Sequence, residues 1–377
     1  MNEELLLKYN GEKSNIKFNF YKGYVVYQRK IKVFDGFAIR DILAFINILH
    51  KKYNNINIPI LFDFGNIVFE DKLTYIFLEV ICFILVKLYS HNIYVNFGTS
   101  SQIFTEGITS SPLLLLKTKD KKHIQKFISQ YKFDIYGKHY RRVLVPEEMQ
   151  DEKLSKIMDE IRNFLKFFDV TEQCLDEITE VIIELIGNVS EHTDSECLID
   201  IDITSKYKKK DENGLFRGIN LAVLNFSEQL LSDQIRHRIL SSNELTERYK
   251  QVAMAYQFHS RYFDDNYCEE DFYNIAAFQH KISGSTQKHF AGGTGLTKLI
   301  CSLEKRSDTH NCYVITGNRA LYFQHELLEY NENSWIGFNE EKDFLNHLPA
   351  QGVITTDRIY MPGVAYNLNF AMKEREE

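Results

Sequence analysis

Three short stretches carry residue types that could do chemistry. The first is Glu184-Leu185-Ile186-Gly187-Asn188, followed by Ser190-Glu191-His192. Glu184 and Asn188 stand at i and i+4 and Glu191 at i+7, so in a helix they share one face. Taken alone, that face reads equally as a solvated polar surface. The second is Ala291-Gly292-Gly293-Thr294-Gly295-Leu296. Glycines let backbone come close to a ligand, and a helix beginning at Leu296 would offer unpaired N–H groups and a positive dipole. This outlines a phosphate cradle, or else only a tight turn. The third is Leu221-Ala222-Val223-Leu224-Asn225-Phe226-Ser227, an apolar strand that ends in a polar residue at a loop.

The elements that must position these groups can be read from periodicity. Residues 151–168 and about 171–192 carry apolar side chains at helical spacing, with Thr171 as the expected N-cap of the second helix. Strands are expected at 197–204 and 218–225, joined by a loop containing Asn213-Gly214. Residues 230–290 read as mostly helical. A helix at 296–305 and strands at 311–316, 320–324 and 363–371 complete this half. Upstream, strand 23–29, helix 36–52, strand 58–63, helix 72–89 and strand 92–97 alternate in the manner of an α/β layer. The helix at 72–89 is apolar nearly all round, which places it deep in the fold. The expected fold class is α/β in two domains, 1–145 and 146–377, with Pro146 at the boundary.

Composition bounds the function. The chain has 377 residues, a net charge of −7 and a pI near 6.0, which argues against a dedicated nucleic-acid binder. The basic runs Lys117–His123 and Lys206–Lys210 read as solvated loops. With Phe 28 and Tyr 22, a large aromatic core excludes global disorder. The six cysteines show no CxxC spacing, which removes zinc and thioredoxin-like readings. The stretch Leu73–Tyr89 contains Glu79 and Lys87 and is too short and too charged to span a bilayer. The N-terminal residues lack a signal peptide's basic start and cleavage site. A cytoplasmic protein without membrane contact is the expectation.

Taken in order, a helix with E-x-x-x-N, a strand ending at a polar residue, a long insert and a GGTGL turn before a helix resemble the GHKL (Bergerat-fold, histidine-kinase-like) ATPases. Tyr313–Gly317 (YVITG) and Met361-Pro362-Gly363 also match late strands of bacterial members. The resemblance covers about 151–373. It implies an α/β sandwich with a mixed sheet, a lid insert at about 230–291, and ATP with Mg²⁺ as cofactors. It implies that Asn188 is the metal ligand and that Glu184 is the catalytic base. It implies that Asn225 reads the adenine amine where the family has an aspartate. Gly292, Gly293, Thr294, Gly295 and Leu296 would hold phosphate, and Lys288 is the lysine expected to contact it. The family's first glycine box, Asp-x-Gly-x-Gly, is here Asn225-Phe226-Ser227-Glu228-Gln229, without its glycines.

Residues 58–97 resemble the middle of a STAS domain. Where STAS antagonists place a phosphorylatable serine, this chain has Lys72. The function implied is a nucleotide-dependent conformational switch acting on a protein partner or on self-association, with slow hydrolysis. A non-catalytic pseudo-ATPase scaffold and an anti-sigma-type serine/threonine protein kinase are the alternatives. The helices at 151–168 and 171–189 carry no histidine, which argues against autokinase activity on histidine.

Overall fold

The apolar run after Asp71 forms a helix, α3 (Lys72–Lys87), in which every residue from Lys72 to Val86 is buried. Asp71 caps it, accepting from the Thr74 backbone N–H at 2.7 Å. So complete a burial requires cover on all sides, and two sheets supply it. The computed structural model describes residues 2–10, 17–28, 32–53, 57–98, 102–103, 111–117, 120–209, 214–241, 245–282, 295–307 and 312–374.

The first part of the chain runs α1 (Glu4–Tyr9), β1 (Asn19–Tyr21), β2 (Tyr24–Gln28), β3 (Val33–Phe34), α2 (Gly36–Tyr53), β4 (Ile60–Gly65), β5 (Val68–Phe69), α3, β6 (Ile93–Phe97), β7 (Gln102–Ile103) and α4 (Lys121–Lys132). A four-stranded sheet has the order β1-β2-β4-β6, with β1 antiparallel to β2 and the rest parallel. After a break, β2, β4 and β6 each lead into one strand of a small parallel sheet, β3-β5-β7.

The chain continues through β8 (Phe133–Tyr136), β9 (His139–Leu144), α5 (Asp151–Lys166), α6 (Glu172–His192), β10 (Cys197–Ile203), β11 (Phe216–Asn225), α7 (Asp233–Ser241), α8 (Glu247–His259), α9 (Glu269–Ala276), α10 (Gly295–Arg306), β12 (Tyr313–Tyr322) and β13 (Ile354–Lys373). Thr171 caps α6 as the sequence leads one to expect. The protein is thus mixed α/β, with one mixed and one antiparallel sheet of substantial size.

The large sheet has the order β12-β13-β11-β10-β9-β8, and each of its pairs is antiparallel. This corrects the mixed sheet expected for the second half. The crossover through α7–α10 does return β12 parallel to β11, but β13 lies between them and opposes both. Strands β8 and β9 precede the expected boundary at 145 and are nevertheless paired onto β10.

Strand β10 explains why the two halves pack as one. Ile199, Ile201 and Ile203 join the core formed with α5, α6 and α10. Leu198 on the opposite face joins the core around α3, together with Leu224, Ile315 and Ala365 of neighbouring strands. Asp200 and Asp202, on the Leu198 face, are 1% and 2% exposed. Buried carboxylates need partners. Lys72 is ion-paired to both aspartates, and Arg141 to Asp200 and Glu79. His139 bridges Asp134 and Asp200 at 3.2 and 3.0 Å.

This network makes stability depend on pH through His139. Burial alone would lower its imidazole pKa, but Asp200 and Asp134 outweigh burial and hold it up at about 9. A raised folded value stabilises fully below the unfolded value of 6.5 and is lost as pH rises through about 9. Urea stability of the wild type should therefore fall between those values by more than that of His139→Gln. Parallel profiles would contradict a charged His139 at neutral pH.

Candidate functional site

Helix α6 packs its apolar side, Ile178, Ile182 and Leu185, into the core and turns Glu184, Asn188 and Glu191 toward a cleft. The end of β11 brings Asn225, the start of α7 brings Gln234 and Ile235, and the start of α10 brings Leu296. Ala277, Ile282, Val364 and Tyr366 add apolar wall. The cleft is partly open to solvent. Sites for small molecules are concave and mostly apolar, with a few placed polar groups.

Glu184, Asn188, Asn225 and Leu296, far apart in the chain, thus line one cavity. Gly295 opens α10 beside it. Lys288, Gly292, Gly293 and Thr294 lie outside the described residues.

Asn225 is 2% exposed, and its amide is held in one orientation. Nδ2 donates to Ser195 Oγ at 3.1 Å and to Ser227 Oγ at 3.4 Å. Ser227 spends its proton on the Gln229 carbonyl at 2.9 Å. Thr193 Oγ1 spends its own on the Val189 carbonyl at 2.9 Å, so Ser195 donates to Thr193 at 2.8 Å. Both serine oxygens are therefore acceptors toward Asn225, which fixes Nδ2 against the wall. Among the described residues nothing donates to Asn225 Oδ1. The cleft is thereby offered a hydrogen-bond acceptor, as an aspartate there would offer, without the charge.

Asn188 has one buried amide atom, Nδ2, with no partner among the described residues. A buried polar atom left unpaired is costly, and this one is a donor, so what completes its shell is an acceptor, a water or a ligand oxygen. Glu184 Oε1 lies 3.7 Å from the Lys298 ammonium, which also hydrogen-bonds Glu180. A carboxylate and a carboxamide set among apolar walls suit a polar ligand with a flat apolar part.

The loop that carries Asn225 is held from below by β12 and β13. Thr316 Oγ1 donates to the Gly363 carbonyl at 2.8 Å and accepts from the Leu231 N–H at 3.2 Å. Gly363 has φ +98°, and a Cβ there would lie 2.5 Å from the Asn225 carbonyl and 3.0 Å from the Ser227 nitrogen. Gly363→Ala should cost at least about 1–3 kcal/mol from backbone strain alone. Urea unfolding measures this, and an unchanged midpoint would contradict the close approach of β13 to Asn225.

Sequence reasoning missed Thr193, Ser195 and Lys298. Small hydroxyl residues carry no signal until their partners are known, and Lys298 is an ordinary lysine until α6 and α10 pack together. It also missed His139, Asp200 and Asp202, whose ligand-type atoms lie within 4.8 Å of one another. There the ammonium of Lys72 already pairs with both aspartates, so the positive charge is the protein's own.

No helix among the described residues is long and apolar enough to cross a membrane. Comparison of the chain with protein-family models, with curated proteins and with solved structures finds no match.

Proposed function

We propose that this chain binds Mg·ATP in the manner of the GHKL ATPases and works as a nucleotide-dependent switch on a protein partner, with slow hydrolysis. The observation that carries the reading is the meeting of Glu184, Asn188, Asn225 and the start of α10 in one cleft. The expected order of motifs along the chain is matched by their convergence in space. In this reading Asn225 Oδ1 accepts from the exocyclic amine of the base. Leu185, Ile282 and Tyr366 exclude water from its faces. Asn188 supplies an amide oxygen to the metal. The bound Mg²⁺ supplies neutralisation of the phosphate charge. Glu184 takes a proton from a water at the phosphate end. The first unit packs against the back face of the same sheet, which supports a role for it in passing the nucleotide state on to a partner.

The test is calorimetry with Mg·ATP and with metal-free ATP on the wild type and on Asn188→Ala. The substitution should weaken Mg·ATP much more than metal-free ATP, by at least about tenfold for a lost metal ligand. Equal losses would show that Asn188 does not hold the metal.

A further inference from the structure

Among the described residues no lysine or arginine lines the cleft, whereas Glu184 and Glu191 do. A polyphosphate entering it meets two carboxylates, and like charges repel most where water is scarce. Lys298 lies just beyond this wall. It stands in the first turn of α10, which starts at Gly295 and lends Leu296 to the cleft. Its ammonium hydrogen-bonds Glu180 and sits 3.7 Å from Glu184, one turn further along α6. The side chain is 38% exposed, and a lysine stem is flexible enough to change partners. The clamp between α6 and α10 has a second, stiffer element. At the other end of α10, Arg306 donates to Glu177 at 2.8 Å and to Cys174 Sγ at 2.7 Å. Lys298 is thus not needed to hold the helices together.

We propose that Lys298 reads the terminal phosphate of a nucleoside triphosphate bound in this cleft. It would leave Glu180 and Glu184 for a phosphate oxygen, and so favour triphosphate over diphosphate. The proposal rests on the nucleotide reading above. The geometry is suited to both partners, because the ammonium is already 3.7 Å from the carboxylate of Glu184, a residue of the cleft wall, and Lys298 stands in the first turn of a helix. Leaving Glu184 also frees that carboxylate at the moment the terminal phosphate arrives.

Calorimetry of Mg·ATP and Mg·ADP on the wild type, Lys298→Ala, Lys298→Arg and Glu180→Gln tests it. Lys298→Ala should lower the ATP-to-ADP affinity ratio about tenfold, the usual size of one hydrogen bond to a charged group. Lys298→Arg should keep most of the ratio. Glu180→Gln loosens the resting contact and should leave the ratio unchanged or higher. An unchanged ratio in Lys298→Ala, or a lowered one in Glu180→Gln, overturns the role of Lys298 while nucleotide binding stands. A wild type that binds neither nucleotide overturns the functional reading itself, and this proposal with it.

Discussion

Replacing Arg141 with methionine is expected to remove about 3–5 kcal/mol of folding stability, the usual cost of breaking a buried ion pair from one side. Arg141 is 1% exposed and donates to Asp200 and Glu79 from two different nitrogens. Without it, Glu79 keeps only the hydrogen bond from Ser111 Oγ at 2.9 Å among the described residues, and it is fully buried. Burial already raises the Glu79 pKa, with the arginine acting against that rise. The variant should therefore protonate Glu79 or unfold. Because domains are stable by only about 5–15 kcal/mol, the loss is a large fraction of the whole. A second substitution, Glu79→Gln, should recover part of it, since a neutral amide is cheaper to bury than an unpaired carboxylate. Urea unfolding of the two single variants and the double variant measures this. A loss under about 1 kcal/mol for Arg141→Met would be typical of an exposed pair and would contradict a dry network between α3 and the sheet.

The second large effect is on chemistry. Glu184→Gln should lower ATP turnover by about 10²–10⁴-fold, the range for removing a general base, while nucleotide stays bound. Glutamine keeps the shape of the side chain but cannot take the proton. The wall of the cleft and Asn188 are left in place, so binding should persist. Single-turnover measurement with trapped ATP separates the two. Turnover equal to wild type would remove Glu184 from the mechanism.

Much of this site was legible because its polar residues sit at fixed steps along regular elements. The spacing of Glu184 and Asn188 needs only a helix to share a face, and α6 runs without a break from Glu172 to His192. Asn225 ends an apolar strand, and the residues after it leave the sheet. What could not be read was set by contacts remote in sequence. The run 133–144 holds Asp134, His139, Arg141 and Arg142, so it looks like a polar connection. It forms β8 and β9 because Asp134, His139 and Arg141 are paired inward with one another or with Glu79 and Asp200. The alternation in 197–204 points to a strand with one wet face. Instead both faces are covered, since α3 brings Lys72 to the two aspartates. The fixed orientation of the Asn225 amide depends in the same way on Thr193 and Ser195, about thirty residues upstream.

The central claim is that this cleft binds Mg·ATP, and a thermal-unfolding titration of the wild-type chain tests it most directly. With Mg²⁺ present and ATP at 100 times its dissociation constant, the folded state should gain about 2.7 kcal/mol, seen as a rise in Tm that grows with ATP concentration. Asn225 presents an acceptor, so GTP, which carries a carbonyl oxygen where adenine has its amine, should raise Tm less. A Tm that stays flat with ATP, ADP and GTP alike, in the presence of Mg²⁺, would contradict the account.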